Sequence, residues 1–181
     1  YFGNQNFMKF VFEKYGDEFF IEENQGMKQI RKKGKFWDFQ YKISLAMIYY
    51  DENLKKIFNE IGENFGDIGN LKEHADEVQK EIDKFVAKFE NEKEKIPGGY
   101  YFYFEPKFKI KSILINIIST KKENWKKTMV FASPNDKGRY SISARRQDAR
   151  VDLNKIFVNS IKGFENAGGG GHSNAAGGFI M

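Results

Sequence analysis

The chain has 181 residues, 40% of them hydrophobic and 30% charged, with a net charge of +5 at neutral pH. This length and composition predict one globular domain or two small ones. No apolar run approaches the roughly 18 residues of a membrane span, and no signal segment opens the chain, so we expect no membrane partner. The absence of cysteine excludes disulfides and thiolate metal sites and fits a cytoplasmic protein. Because the first residue is Tyr1 and not methionine, we expect a fragment or a processed product of a longer protein.

Positive charge is concentrated in the second half of the chain. Residues 98–181 hold 14 Lys/Arg against 6 Asp/Glu, whereas residues 1–97 hold 16 against 19. A basic half predicts a polyanionic partner, with nucleic acid as the leading candidate. The alternative is an ordinary solvated basic surface.

The first 97 residues are predicted to be mostly helical, with a short strand at residues 19–21. Apolar residues recur at helical spacing in three segments, of which the second stops before Gly62. The third is amphipathic, is preceded by a capping-box-like pair, Asn70 and Glu73, and serves as a connector. The apolar residues are Phe7, Phe10 and Val11; Ile43, Met47, Tyr50, Leu54, Ile57, Phe58 and Ile61; and Leu71, Ala75, Val78, Ile82, Phe85, Val86 and Phe89.

The segment KQIRKKGK, residues 28–35, carries five positive charges and no negative one. Such a cluster can lie along a phosphate backbone, and it favours a polymeric substrate over a dinucleotide. The alternative is a solvated loop. The cluster consists of Lys28, Arg31, Lys32, Lys33 and Lys35.

Pro97, Gly98 and Gly99 are predicted to end the third helix and to begin a small α/β domain over residues 98–181. Strands and helices alternate from here on, and the two middle strands form a hairpin with a five-residue loop. The last helix places Leu153, Ile156, Phe157 and Ile161 on one face. The predicted strands are residues 100–105, 128–133, 139–145 and 177–181, and the predicted helices are residues 110–119 and 152–164.

The predicted strand 139–145 has one apolar and one polar face. Guanidinium groups form forked, charge-assisted bonds to phosphate, and serine hydroxyls add shorter-range donors. The polar face therefore suits a phosphate, and the alternative is a polar face turned to solvent. Tyr140, Ile142 and Ala144 are predicted to point into the core; Arg139, Ser141, Ser143 and Arg145 share the polar face, and Arg146 and Arg150 follow it.

Four consecutive glycines precede His172 in the segment ENAGGGGHSNAAGGFI, residues 165–180. Residues without Cβ can turn successive N–H groups toward one anion and let a phosphate approach the backbone. His172 can donate to a phosphate oxygen or assist proton transfer near neutral pH. The composition therefore favours a ligand-binding loop over a flexible linker, since linkers usually mix glycine with serine.

The stretch GGGGHSNAAG, residues 168–177, resembles the Gly-Gly-Gly-His-x-x-Ala-Ala-Gly signature of the DHH-associated domain of DHH-family phosphoesterases. SAR, residues 143–145, lies where that family has a strand ending in Ser-x-Arg, and VDLNKI, residues 151–156, resembles the start of the following helix. The resemblance covers residues 98–181. That family includes RecJ-type single-strand exonucleases, oligoribonucleases and cyclic-dinucleotide phosphodiesterases. The stretch before His172 is longer than in bacterial RecJ-type proteins and is closer to that of archaeal RecJ-like members.

The resemblance implies that this domain grips the phosphate end of single-stranded nucleic acid or a short oligonucleotide. A separate N-terminal DHH domain would hold two divalent metals, manganese or magnesium, and its Asp and His ligands would carry the hydrolysis. The backbone of the glycines and the His172 side chain would contact the substrate. The candidate binding residues are Ser143, Arg145, Arg146, Gly168, Gly169, Gly170, Gly171, His172 and Asn174.

The sequence also departs from the family. It contains no Asp-His-His triplet, and His74, on the third predicted helix, is expected to face solvent in a structural role. We therefore expect no metal site in this chain, which would bind substrate without hydrolysing it. Two alternatives stay open. One is a non-catalytic RNA- or tRNA-binding module related to the C-terminal domain of alanyl-tRNA synthetases, and the other is a scaffold that has lost its active site and binds a partner through the helical half.

Overall fold

The computed structural model of the chain describes residues 13–14, 20–22, 28–30, 34–61, 68–135 and 138–181. The fold is mixed α/β, as predicted, and the chain divides into two compact units, residues 1–77 and 78–181. The predicted boundary after Pro97 stays a prediction.

The described helices are α1 (Lys35–Tyr49), α2 (Leu54–Glu60), α3 (Leu71–Glu92), α4 (Lys111–Ser119) and α5 (Leu153–Ser160). The described strands are β1 (Phe20–Glu22), β2 (Lys28–Ile30), β3 (Glu94–Ile96), β4 (Gly99–Tyr103), β5 (Thr128–Pro134), β6 (Tyr140–Arg145), β7 (Gly168–His172) and β8 (Ala175–Ile180). None of the described helices is long and apolar enough to cross a membrane.

The first unit is mainly helical where it is described. Its β1 and β2 form an antiparallel pair, so Lys28 of the predicted basic cluster begins a strand. Lys35 begins α1, whereas Arg31, Lys32 and Lys33 lie outside the described residues, as does the helix predicted around Phe7, Phe10 and Val11. The small core of this unit consists of Ala46, Ile57, Ile68 and Leu71.

The helix predicted over residues 43–61 is two helices, α1 and α2. The backbone turns at Asp51 and Glu52, whose φ angles of 50° and 63° are left-handed and cannot continue a right-handed helix. Asn53 then caps α2, because its side-chain oxygen accepts a hydrogen bond from the Lys56 N–H at 3.2 Å. The apolar residues keep a helical spacing on both sides of the turn, so their spacing alone did not reveal that the helix is interrupted.

His74 is packed between two tyrosines, which corrects the prediction that it faces solvent. Its ring stacks on Tyr49 with centroids 4.1 Å apart and meets the edge of Tyr50 at 5.1 Å. The structural role predicted for His74 is therefore an aromatic packing role in the first unit.

The second unit is built on a six-stranded mixed sheet in the order β3-β4-β5-β6-β8-β7. Only β4 and β5 are parallel, and all other neighbours are antiparallel. The helix predicted over residues 110–119 is α4, and the predicted hairpin is β5 and β6, although residues 136–137 of its loop lie outside the described residues. The helix before Pro97 ends earlier than predicted, at Glu92, because Glu94–Ile96 turn back at Pro97 and Gly98 (φ 76°) and pair with β4.

The sheet is covered on both faces. Apolar residues of α3 and α4 pack on one face and form an aromatic core, in which the ring of Phe89 lies 5.5 Å from Phe102 and 5.6 Å from Phe131. Helix α5 packs on the opposite face through Leu153 and Phe157. The main core comprises Val78, Ile82, Phe85, Phe89, Phe102, Phe104, Ile110, Leu114, Ile115, Ile118, Met129 and Phe131.

Two predicted core positions are exposed. Tyr140 is 46% exposed because it begins β6 at the end of the sheet, and Ile156 is 52% exposed because α5 turns it toward an open cavity. Ile142 and Ala144 do pack inward, against α5.

Candidate functional site

Strand β6 separates its polar and apolar residues as predicted, but its polar face is not simply turned to solvent. Ser143 pairs with the buried Phe131 of β5, and residues paired directly across strands share a face of the sheet. The polar residues therefore lie on the same face as the aromatic core. They stand where that face continues beyond the core, toward β8 and β7.

The floor beside Ser143 is made of glycine. Across β8 and β7 its row of the sheet continues as Gly177 and Gly170. A Cβ at Gly177 would lie 2.8 Å from the Ile142 carbonyl oxygen and 3.6 Å from the Ser143 Oγ. Glycine at this position therefore leaves open the space beside the serine hydroxyl.

The next row brings two predicted site residues together. Arg145 on β6 pairs with Ala175 on β8, which in turn pairs with His172 on β7. Two strand spacings separate Arg145 from His172, about 10 Å between Cα atoms. Within the described chain neither the Ser143 hydroxyl nor the His172 ring has a hydrogen-bond partner. Arg145 donates a long bond, 3.4 Å, from Nη1 to Asn116 Oδ1. All three side chains are therefore available to a ligand.

The glycine run is a strand and not the predicted loop. Gly168–His172 form β7, the edge strand, and pair with β8 from Gly168↔Phe179 to His172↔Ala175. Alternate residues of an edge strand still point their N–H and C=O groups away from the sheet. Backbone donors for an anion are therefore retained, but they lie along an edge and not around a concave nest.

The hairpin between β7 and β8 is fixed at its tip. The carbonyl of Ser173 accepts a hydrogen bond from the Leu153 N–H at 2.9 Å, and the carbonyl of Asn174 accepts one from the Arg146 N–H at 3.0 Å. The Asn174 side chain is exposed beside His172. The tip is thus tied to both the end of β6 and the start of α5, which fixes His172 relative to Arg145.

Arg146 does not join Ser143 and Arg145. Its guanidinium donates to both carboxylate oxygens of Asp148, at 2.7 and 3.2 Å. This ion pair raises the pKa of Arg146 and lowers that of Asp148. Arg146 also lines an apolar cavity of about 590 Å³ beside α5, on the opposite face of the sheet. The predicted phosphate contact of Arg146 therefore competes with an internal partner.

Lys111 is a further site residue that was not predicted from the sequence. It lies in the first turn of α4, and its Nζ donates to the Ser141 Oγ on the polar face of β6. Burial lowers the pKa of Lys111 to about 8. A lysine that begins an apolar helix carries no sequence signal of this kind, because its partner lies 30 residues away.

In the ranges that the structure describes, no group of three His, Cys, Asp or Glu side chains could hold a metal ion. The chemistry that the site offers is therefore anion binding by one arginine, one half-buried lysine, hydroxyl groups and backbone donors.

Three solved structures are similar to the chain. The C-Ala domain of alanyl-tRNA synthetase from Aquifex aeolicus shares 16% identity at a TM-score of 0.38, covering 49% of this chain and 82% of that one. The pGpG-specific phosphodiesterase PggH from Vibrio cholerae shares 10% identity at a TM-score of 0.49, covering 80% of this chain and 53% of that one. An uncharacterized protein from Helicobacter pylori G27 shares 19% identity at a TM-score of 0.39, covering 81% of this chain and 41% of that one. The chain thus spans about half or less of the length of the last two proteins.

The sequence comparisons are more specific. No curated protein sequence matches the chain. The family model of the DHHA1 domain matches residues 98–180, which include β4 to β8 and the whole of the site described above. Residues 98–180 of this chain are therefore similar to DHHA1 domains.

Proposed function

We propose that this chain is the substrate-binding portion of a DHH-type phosphoesterase and binds the phosphate groups of single-stranded nucleic acid or short oligonucleotides. The observation that carries the proposal is the row Arg145–Ala175–His172 beside the row Ser143–Gly177–Gly170. These rows place a guanidinium, an imidazole and a hydroxyl around a floor that has almost no side chains. A phosphate can approach such a floor closely and accept charge-assisted bonds from both sides.

Each residue has a distinct role in this proposal. Arg145 presents a forked donor to two phosphate oxygens, and the weak bond to Asn116 orients it without neutralising it. Ser143 adds a hydroxyl donor next to Gly177. His172 donates to a phosphate oxygen or passes a proton to a leaving group.

We assign the hydrolytic step to metal ions held outside this chain. A DHH domain of the same protein would bind two divalent ions, manganese or magnesium, which activate water and stabilise the leaving oxygen. The archaeal RecJ-like assignment and the exonuclease activity are parts of this proposal. It predicts that the chain binds single strands and does not cleave them, even with manganese added.

Binding of labelled 12-nucleotide DNA and RNA to the chain, followed by fluorescence anisotropy, tests the proposal. Arg145→Ala should lower the affinity about 10- to 150-fold, since a hydrogen bond to a charged group contributes about 1.5–3 kcal/mol. Arg145→Lys should recover only part of the loss, because an ammonium lacks the forked geometry. Arg150→Ala, at an exposed arginine, is the matched control and should change the affinity less than threefold.

The other functions give different results. A tRNA that binds tightly while short single strands do not bind would indicate an RNA-binding module. Full binding by Arg145→Ala would indicate a scaffold whose contacts lie elsewhere. Robust manganese-dependent cleavage by this chain would contradict the assignment of the metals to another domain.

A further inference from the structure

A basic cavity lies at the same end of the sheet as Arg145. Its volume is about 320 Å³, and it opens between the β3–β4 turn and the turn that precedes β5. We call it the lysine cavity; its polar walls are Lys95, Lys126, Lys127 and Tyr100, and Gly98 and Gly99 form its backbone wall. None of the described residues that line it is acidic.

The charges of the lysine cavity are not neutralised internally. Among the described residues, Lys95, Lys126 and Lys127 have no carboxylate partner, whereas nearby Glu90 binds both Lys93 and Lys121. Lys127 instead donates to the Tyr100 hydroxyl at 3.2 Å, and this bond lowers the pKa of Tyr100. Three like charges around one cavity repel each other, and a bound anion would relieve that repulsion.

An exposed aromatic side chain directly precedes two of these lysines in the sequence. Trp125 is 45% exposed and directly precedes Lys126 in the turn KKENWKK, residues 121–127, which has four lysines. Proteins that bind single strands combine cationic grooves for the backbone with aromatic rings on which bases stack. The combination of Trp125 with the lysine cavity matches both requirements.

Sheet register fixes the separation between this cavity and the first site. Tyr100 on β4 pairs with Met129 on β5, and Met129 pairs with Arg145 on β6. Two strand spacings separate Tyr100 from Arg145, about 10 Å between Cα atoms. At 3.4 Å for each stacked nucleotide, this distance corresponds to about three nucleotides of one strand.

We propose that the lysine cavity and Trp125 form a second subsite, which holds a single strand about three nucleotides away from the phosphate bound at Arg145. This inference rests on the proposed function and specifies its substrate. The ligand is a single strand of several nucleotides, because a dinucleotide held at Arg145 is too short to span the three nucleotides that separate Arg145 from Tyr100 in the lysine cavity.

The test compares a 2-nucleotide and a 12-nucleotide oligodeoxythymidylate. In a Trp37→Phe background, excitation beyond the absorption of tyrosine reports on Trp125 alone, since the chain has two tryptophans. The 12-mer should quench Trp125 and the 2-mer should not. The Lys126→Gln/Lys127→Gln variant and Trp125→Ala should each weaken 12-mer binding about tenfold and leave 2-mer binding unchanged. The lysine variant should also lower the slope of log K against log salt by about 1.4 for the 12-mer.

Lys72→Gln/Lys80→Gln removes the same charge from exposed positions of α3 and is the matched control, with 12-mer binding expected within twofold of the unchanged chain. Urea unfolding confirms that each variant is folded. If the 12-mer binds through Arg145 but neither quenches Trp125 nor responds to the lysine variant, the second subsite is wrong and the proposed function stands. If neither oligonucleotide responds to Arg145→Ala, the proposed function itself fails.

Discussion

Arg145 and His172 lie in one row of the sheet, on either side of Ala175. In the other direction the same row continues through Met129 to Tyr100. A guanidinium, an imidazole and a lysine-flanked phenol are therefore placed across the strands at one end of the sheet. A nucleic-acid strand that contacts all three would cross the β-strands and would not run along them.

The first prediction concerns two glycines of the β7–β8 hairpin. A Cβ at Gly178 would overlap the Gly168 carbonyl and lie 2.7 Å from the Gly169 Cα, whereas a Cβ at Gly170 would meet only Asn154 Oδ1, at 3.5 Å. Gly178→Ala should therefore lower the free energy of unfolding by about 1–3 kcal/mol, since the backbone must shift. Gly170→Ala, the matched control, should change it by less than about 0.5 kcal/mol. Urea unfolding measures both values, and equal losses would contradict the pairing of β7 with β8.

Local patterns predicted a large part of the second unit. Period-two alternation in residues 139–145 separated Ser143 and Arg145 from Ile142 and Ala144, because alternation depends only on the strand itself. The pattern could not show that helices cover both faces of the sheet. The face of the sheet on which Ser143 lies is set by its pairing with Phe131 and by the packing of α4, and both are distant from Ser143 in sequence.

The glycine run, residues 168–171, was predicted as a loop from its local composition, but tertiary contacts make it a strand. Glycine weakens strands, because it has no side chain to pack and loses the most backbone entropy. In the hairpin, however, Gly178 faces Gly169 so closely that the approach of the two backbones requires glycine. Lys111 was missed because its burial arises from the packing of α4 on β6, which no local pattern encodes.

The second prediction concerns the ion pair of Arg146 with Asp148. Arg146→Ala should lower the midpoint of urea unfolding at pH 7, since the carboxylate loses both of its guanidinium bonds. The pKa of Asp148 is lowered from 3.8 in the folded state, so the stabilisation is present above pH 3.8 and is lost as the pH falls below it. The difference between the variant and the unchanged chain should therefore shrink between pH 5 and pH 3.

The same variant distinguishes a structural from a binding role. Because Arg146 is held by Asp148, Arg146→Ala should weaken oligonucleotide binding much less than Arg145→Ala does in chains that are equally folded. Equal losses of affinity would show that Arg146 leaves Asp148 and contacts the ligand.

The third prediction follows from the burial of Lys111. Its only hydrogen-bond partner among the described residues is the Ser141 hydroxyl, so the protein replaces little of the water that the ammonium loses. Burial accordingly lowers the pKa of Lys111 from 10.5 to about 8. Below pH 8 both the folded and the unfolded chain carry this proton, and the cost of burying the charge is fully present. Between pH 8 and 10.5 only the unfolded chain holds the proton, so this group makes stability rise with pH.

Lys111→Met should therefore stabilise the chain at pH 7, by about 1–2 kcal/mol once the partial exposure of the side chain is taken into account. The gain should decrease from pH 8 to 10.5, because the unchanged chain then buries a neutral amine. Urea unfolding at pH 7 and pH 10 measures this difference, and Lys155→Met, at an exposed position of α5, is the control expected to show no such change between the two pH values. A gain that stays constant across this range would mean that Lys111 remains charged, with an anion or a carboxylate as its partner.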